Sequence, residues 1–240
     1  MVNILVLGGT GPTGLALIEE AISRNHMVVV FARSPQKLPE TLIHSPFVIV
    51  VKGSLEEESE IRRAFEAQVP SEIPNLGSTG NGSTSGYLKI DVVVSALGPP
   101  VLGIHPSGHP IAKGYENVIR VAREHGVKRF LILGTASITD ENDQFDARFK
   151  ALVFAVKYFA PHAYEEMVEI GNVFNKADEL DWTIARIPVL VDRKDGNYAA
   201  GYIGDGITAP LLSRPLFAKF VFDEVDAAVW VHKRPLVSLV

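Results

Sequence analysis

The stretch "LGGTGPTG", residues 7–14, constrains this chain more than any other. Gly8, Gly11 and Gly14 recur at every third position, directly behind the apolar run "VNILVL". Such a run reads as a buried strand, and residues 12–24 carry Leu15, Ile18 and Ile22 on one helical face. A strand that turns through glycines into a helix needs one residue tolerant of positive φ. It also needs a stretch of backbone with no Cβ in a ligand's way, and a helix packed tightly on its strand. The helix start then offers unpaired N–H groups and a positive dipole end to phosphates. Pro12 fits that first turn, where its missing N–H costs nothing. The expectation is a dinucleotide cradle made by Gly8, Thr10, Gly11, Pro12, Thr13 and Gly14.

The following sequence repeats the alternation. Strands are expected at 26–33 ("HMVVVFAR"), 47–53 ("FVIVVKG"), 90–98 ("IDVVVSALG") and 127–134 ("VKRFLILG"), with helices over 56–68 and 110–125 between them. Near-continuous apolar strands separated by helices imply a parallel sheet covered on both faces: an α/β, Rossmann-like, doubly wound fold. Helices at 146–158 and 164–180, a strand at 181–190, a helix at about 215–225 and a last strand in "RPLVSLV" follow. Residues 187–240 read as a small C-terminal substrate-side part of one domain spanning 1–240, and the Gly/Ser/Asn/Thr-rich stretch 70–87 as a flexible insertion. Tyr198, Tyr202, Phe217 and Phe220 belong either to a late-chain apolar lid or to the core.

Composition narrows the partners. A formal net charge of −5 without any Lys/Arg run argues against nucleic acid. The absence of cysteine rules out disulfide and thiol chemistry. No signal-peptide pattern opens the sequence and no apolar run is long enough to span a bilayer, so a soluble cytoplasmic protein without a membrane role is expected. The region 146–180 is apolar enough for a homodimer, but a monomer is equally compatible.

The end of the second strand selects the dinucleotide. An acid there would bond the ribose 2′-hydroxyl of NAD. This chain has Arg33 and Ser34, with Lys37 nearby. A guanidinium forks onto a 2′-phosphate and a hydroxyl adds a bond, which favours NADPH/NADP+ over NADH.

These motifs, with "KGSLEE" after the third strand, "VSALG" after the fourth and "DWTIARIPVL" late in the chain, resemble the atypical short-chain dehydrogenase/reductase superfamily. The similarity is to its NmrA-like, NAD(P)H-binding branch that includes biliverdin/flavin-reductase-type proteins. The resemblance implies that Gly53 and Ser54 sit near the adenine, that Ser95, Ala96, Leu97 and Gly98 line the ribose side, and that Ile187, Pro188 and Val189 approach the nicotinamide.

Family members that reduce ordinary ketones use a Tyr-x-x-x-Lys pair and a serine near the end of the fifth strand. Here no tyrosine has a lysine four residues on. Counting back from "DWTIARIP", the tyrosine position falls on Tyr164 and the lysine position on Val168; Ser137 matches the serine region. Ser137 and Tyr164 are therefore the catalytic candidates, without the ammonium that would assist the phenol. Lys157 and His162 are the groups that could replace that charge. His105 and His109 lie on the Pro/Gly-punctuated loop at the carboxyl end of the fourth strand and, with His162, are candidate substrate contacts. Their setting lacks the acids or thiols of a metal site, so no metal is expected. The expectation is an NADPH-dependent reductase of a hydrophobic, aromatic or conjugated small molecule. The alternatives are an NADP(H)-binding sensor without turnover and an isomerase or ring-opening enzyme on the same fold.

Overall fold

The computed structural model describes residues 1–68, 87–100, 105–193 and 195–240. Its first half alternates as the apolar pattern demands: β1 (Asn3–Leu7), α1 (Pro12–Ser23), β2 (Met27–Ala32), the single turn α2 (Glu40–Ile43), β3 (Val48–Lys52), α3 (Glu58–Phe65), β4 (Val92–Ser95), α4 (Pro110–Glu124) and β5 (Arg129–Thr135). The second half contains α5 (Ala147–Phe159), α6 (Pro161–Asn175), β6 (Asp181–Ile187), β7 (Val189–Val191), β8 (Tyr198–Gly201), β9 (Leu211–Ser213), α7 (Arg214–Ala227) and β10 (Leu236–Leu239).

Among the described residues, eight strands form one sheet in the order β3-β2-β1-β4-β5-β6-β10-β8. All neighbours are parallel except β10 and β8. Side chains alternate across the sheet, so Leu5 and Leu7 of β1 face one way and Ile4 and Val6 the other. The first face packs against α3, α4 and α6 through Ile61, Tyr115, Ile170 and Phe174. The second packs against α1 and α7 through Leu17, Ile18, Phe217 and Phe220, which assigns both phenylalanines to the core. The chain leaves β1 toward β2 on one side, and β4 adds on the other, so the order reverses between β1 and β4. Ligands of open α/β sheets bind in the crevice at that point.

Several elements differ from the sequence expectation. The strand expected over 181–190 stops at Ile187, because Pro188 has no N–H for the ladder. The chain resumes as β7, which pairs with β9 in a separate two-stranded sheet. Tyr198–Gly201, read as part of a glycine-rich loop, is the antiparallel edge strand β8, held by β10 in a register from Leu236↔Gly201 to Leu239↔Tyr198. Helix α6 starts at Pro161, before Tyr164, because proline is favourable in a first turn. On α1 the fully buried residues are Gly14, Leu17, Ile18 and Ala21, with Leu15 and Ile22 only partly covered. The buried face is rotated because α1 is pressed between the sheet and α7. The insertion expected at 70–87 lies outside the described residues except for Tyr87, which bridges to Gln68.

Candidate functional site

A cleft of about 480 Å³ opens at the carboxyl ends of β1 to β4. Its floor is the glycine turn, represented by Gly8 and Thr10. One wall is Arg33, Ser34 and Lys37 after β2, with Gly53 to Glu56 after β3. The other is Leu97, Gly98 and Pro100 after β4, with His105, Pro106, Pro110 and Ile111 leading into α4.

The three glycines of the turn have different physical reasons. Gly8 has φ +74°, a left-handed conformation that side chains disfavour. A Cβ on Gly14 would stand 2.2 Å from the carbonyl oxygen of Gly8, so that glycine lets α1 settle on β1. Gly11 has an ordinary φ of −87°, and a Cβ there would meet nothing closer than 3.8 Å. Neither backbone strain nor protein packing requires glycine at 11. What its bare backbone leaves open is room beside the start of α1, where no side chain caps the helix and the first-turn amides need acceptors. That combination fits the pyrophosphate of a dinucleotide.

Arg33 is exposed at the rim and, like Lys37, has no ion-pair partner among the described residues. A free guanidinium and ammonium over a cleft are what a phosphate monoester would meet. Ser54 is held by its amide, which donates to Glu60 Oε2 at 2.7 Å. Of the residues expected on the ribose side, Leu97 and Gly98 line the cleft. Ser95 turns beneath it: its Oγ lies 2.6 Å from the Tyr115 hydroxyl and accepts from the Leu97 amide. Burial pushes the Tyr115 phenol above its ordinary value, so it keeps a proton for that bond. Ala96 continues the β1 ladder by donating to Leu7 O.

The other expected residues gather elsewhere. Ile187, Pro188 and Val189 lie at the carboxyl end of β6, outside the cleft's lining. Ser137 is buried just past β5 and its amide donates to Thr135 Oγ1. Tyr164 lies on α6, half-buried, and the Lys157 ammonium sits 5.2 Å from its ring centroid. An ammonium thus reaches this tyrosine from α5, over the ring face and not from the next turn of its own helix. His162 is half exposed on the first turn of α6, 3.5 Å from Glu165. His109 takes a left-handed φ of 55° just before α4.

His105 is the one candidate histidine in the cleft, and it carries a partner that sequence reasoning missed. Its Nε2 lies 2.6 Å from Oε2 of Glu166, with both side chains buried. Glu166 Oε1 accepts from the Ala112 amide at 2.8 Å. No side chain caps α4 at His109, so a carboxylate from α6 does that work. The loop after β4 is thereby tied to both helices. One signal was available: Glu166 interrupts the apolar spacing of Ala163, Met167, Ile170 and Phe174, where a charge is out of place.

Farther along the carboxyl edge, fully buried Arg186 forks onto Asp143 at 2.6 and 2.7 Å and donates to Ile138 O and Arg234 O. Asp143 also accepts from the Ile203 amide. The arginine of "DWTIARIP" therefore fastens the segment after β5 to the C-terminal part.

Comparison with known proteins agrees with this geometry. Residues 8–228 match the family model described as NAD(P)H-binding. No curated protein sequence matches the chain. Among solved structures, a short-chain dehydrogenase/reductase from Veillonella parvula DSM 2008 superposes with a TM-score of 0.75 at 15% identity, over 99% of this chain and 94% of that one. A structure of a wide-type short-chain dehydrogenase/reductase from the same organism in complex with NADP gives 0.72 with the same identity and coverage. An anaerobillin reductase from Escherichia coli O157:H7 gives 0.67 at 16% identity, over 99% and 97%. These similarities establish a shared Rossmann-like fold. Among the described residues no helix is long and apolar enough to cross a membrane.

Proposed function

The chain belongs to the NAD(P)H-binding family, and from that premise we propose that it is an NADPH-dependent reductase of a hydrophobic, aromatic or conjugated small molecule. The observation that carries this reading is the cleft that runs from Arg33 past the glycine turn to Leu97, Gly98 and His105. The turn and the start of α1 hold the pyrophosphate, and Arg33, Ser34 and Lys37 hold the 2′-phosphate. Gly53 and Ser54 border the adenine, Leu97 and Gly98 the ribose, and Ile187 to Val189 the nicotinamide. When bound, such a cofactor supplies a hydride. Ser137 and Tyr164 donate hydrogen bonds to the substrate oxygen that gains charge. A conjugated acceptor delocalises that charge itself, which suits a chain without the Tyr-x-x-x-Lys pair.

One observation favours a second reading, an NADP(H)-responsive sensor. Neither Ser137, Tyr164 nor residues 187–189 line the cleft. Titration with NADPH and NADH, followed by nicotinamide fluorescence, tests the cofactor. Arg33→Ala is expected to weaken NADPH about ten-fold, near 1.4 kcal/mol, and to leave NADH unchanged. Equal loss for both nucleotides removes Arg33 from the 2′-phosphate site. Turnover is then tested by NADPH oxidation against quinones, flavins and enones. Binding with no oxidation across that panel selects the sensor.

A further inference from the structure

The glycine turn leading into α1 and the segment leading into α4 both line the cleft, and the two helix starts are finished differently. At α1 no side chain caps the helix and the first turn holds no acid. At α4 the places are taken: Pro110 has no N–H, the Ala112 amide donates to Glu166 Oε1 at 2.8 Å, and the Lys113 amide donates to His109 O. The charges follow the same division. Arg33 and Lys37 stand on the opposite wall, with Glu56 the acid among its lining residues. Behind the wall that leads into α4 lies the fully buried carboxylate of Glu166. A phosphate is therefore served on the α1 side, and on the α4 side it would meet a filled helix start and a negative charge. The rest of that wall is apolar, from Leu97 past Pro106 to Ile111, and among the described residues its one polar side chain is His105.

Glu166 decides what His105 presents to the cleft. Its Oε2 lies 2.6 Å from His105 Nε2, and a carboxylate only accepts, so Nε2 carries the proton. The neutral imidazole then has a lone pair at Nδ1, which makes no hydrogen bond among the described residues. A glutamine in place of Glu166 would also meet the Ala112 amide through its oxygen. Its NH2 would donate to Nε2, however, and move the imidazole proton to Nδ1. Capping α4 thus does not require the buried charge, whose desolvation is costly. What the charge adds is a His105 that faces the cleft as an acceptor.

A mostly apolar wall with a single acceptor fits an uncharged ring that carries hydroxyl groups. In a dinucleotide those parts are the riboses, and Leu97 and Gly98 on the same wall border the ribose in the reading above. We propose that His105 Nδ1 accepts a hydrogen bond from a ribose hydroxyl of the bound dinucleotide, with Glu166 as the positioning residue that sets its tautomer. This inference rests on the cofactor reading, and it replaces the expectation that His105 touches substrate.

Two measurements test it. The first is fluorescence titration of the parent chain and His105→Ala with NADPH, NADH and deamino-NADPH, which lacks the adenine amino group. His105→Ala is expected to lose about five-fold in affinity for each of them, the effect of one hydrogen bond. The second is histidine nitrogen NMR on the parent chain, with the resonance assigned by its absence from His105→Gln. It should show Nε2 protonated and Nδ1 bare, and NADP+ should shift the Nδ1 resonance as that nitrogen accepts a bond. A purely structural tie between His105 and Glu166 gives no such shift. Glu166→Gln should move the proton to Nδ1 and abolish it. Unchanged affinity in a folded His105→Ala, an Nδ1 resonance that NADP+ does not move, or a protonated Nδ1 in the parent chain overturns the proposal and leaves the cofactor reading in place. So does a loss confined to the two phosphorylated nucleotides, which assigns His105 to the 2′-phosphate, or a loss absent with deamino-NADPH, which assigns it to the base. A parent chain that binds no nucleotide removes the cofactor reading itself, and the proposal with it.

Discussion

The two ends of the carboxyl edge are built by different means. Around the glycine turn the parts are close in sequence and made of backbone: Gly14 presses on Gly8, and the start of α1 follows at once. From the far wall of the cleft toward the C-terminal part, the parts are side chains brought together from far apart. His105 and Glu166 are separated by 61 positions, and Arg186 and Asp143 by 43. The first end fails by steric conflict, the second by exposure of an unpaired buried charge. A glycine turn can therefore be damaged by one methyl group. The second end is sensitive to loss of a charge that touches no ligand.

The largest effect is expected at Asp143. Asp143→Ala leaves fully buried Arg186 without its carboxylate and should cost about 3–5 kcal/mol, read as a shift in the urea midpoint. Burial raises the Asp143 pKa, but the bonds and charge of Arg186 outweigh it and hold the carboxyl below its ordinary 3.8. Its contribution is thus fully present above about pH 4 and is lost as pH falls through the depressed value. The variant should lose part of the acid limb of the stability profile. A change under about 1 kcal/mol would mean that this end is not held by the pair.

Gly14→Ala should cost about 1–3 kcal/mol, because the new methyl meets backbone that cannot step aside. Glu166→Gln keeps the shape and one acceptor but loses the charge facing His105; about 1–2 kcal/mol is expected in thermal or urea unfolding. An unchanged Glu166→Gln would show that the carboxylate serves α4 by its oxygens alone.

Gly11→Ala sharpens the contrast within the turn itself. Its folding stability should stay within about 0.5 kcal/mol of the parent, since the methyl meets nothing in the protein. Its NADPH affinity should still fall about ten-fold, near 1.4 kcal/mol, by fluorescence titration. Retained affinity would remove the ligand reading of that glycine.

The legible parts were those whose physics is local. The run "VNILVL" and the spaced glycines specify a strand, a turn and a helix because each requirement is met within a few residues. Arg33 and Ser34 could be located because they end a recognisable strand. Glu166 was not legible as a partner: Glu165 beside it is exposed, and only the arrival of α4 and His105 makes the second glutamate a buried acceptor. The edge strand β8 was missed for the same reason, since "YAAG" has no strand pattern of its own and takes its conformation from β10.

Periodicity, backbone sterics and side-chain charge within one segment thus set the alternating α/β order, the glycine turn and the cationic end of β2. Tertiary structure alone decided that Glu166 closes on His105 and that Arg186 is spent on Asp143. Those outcomes depend on which helices meet across the sheet and what each meeting takes out of water, and no local stretch of chain encodes that.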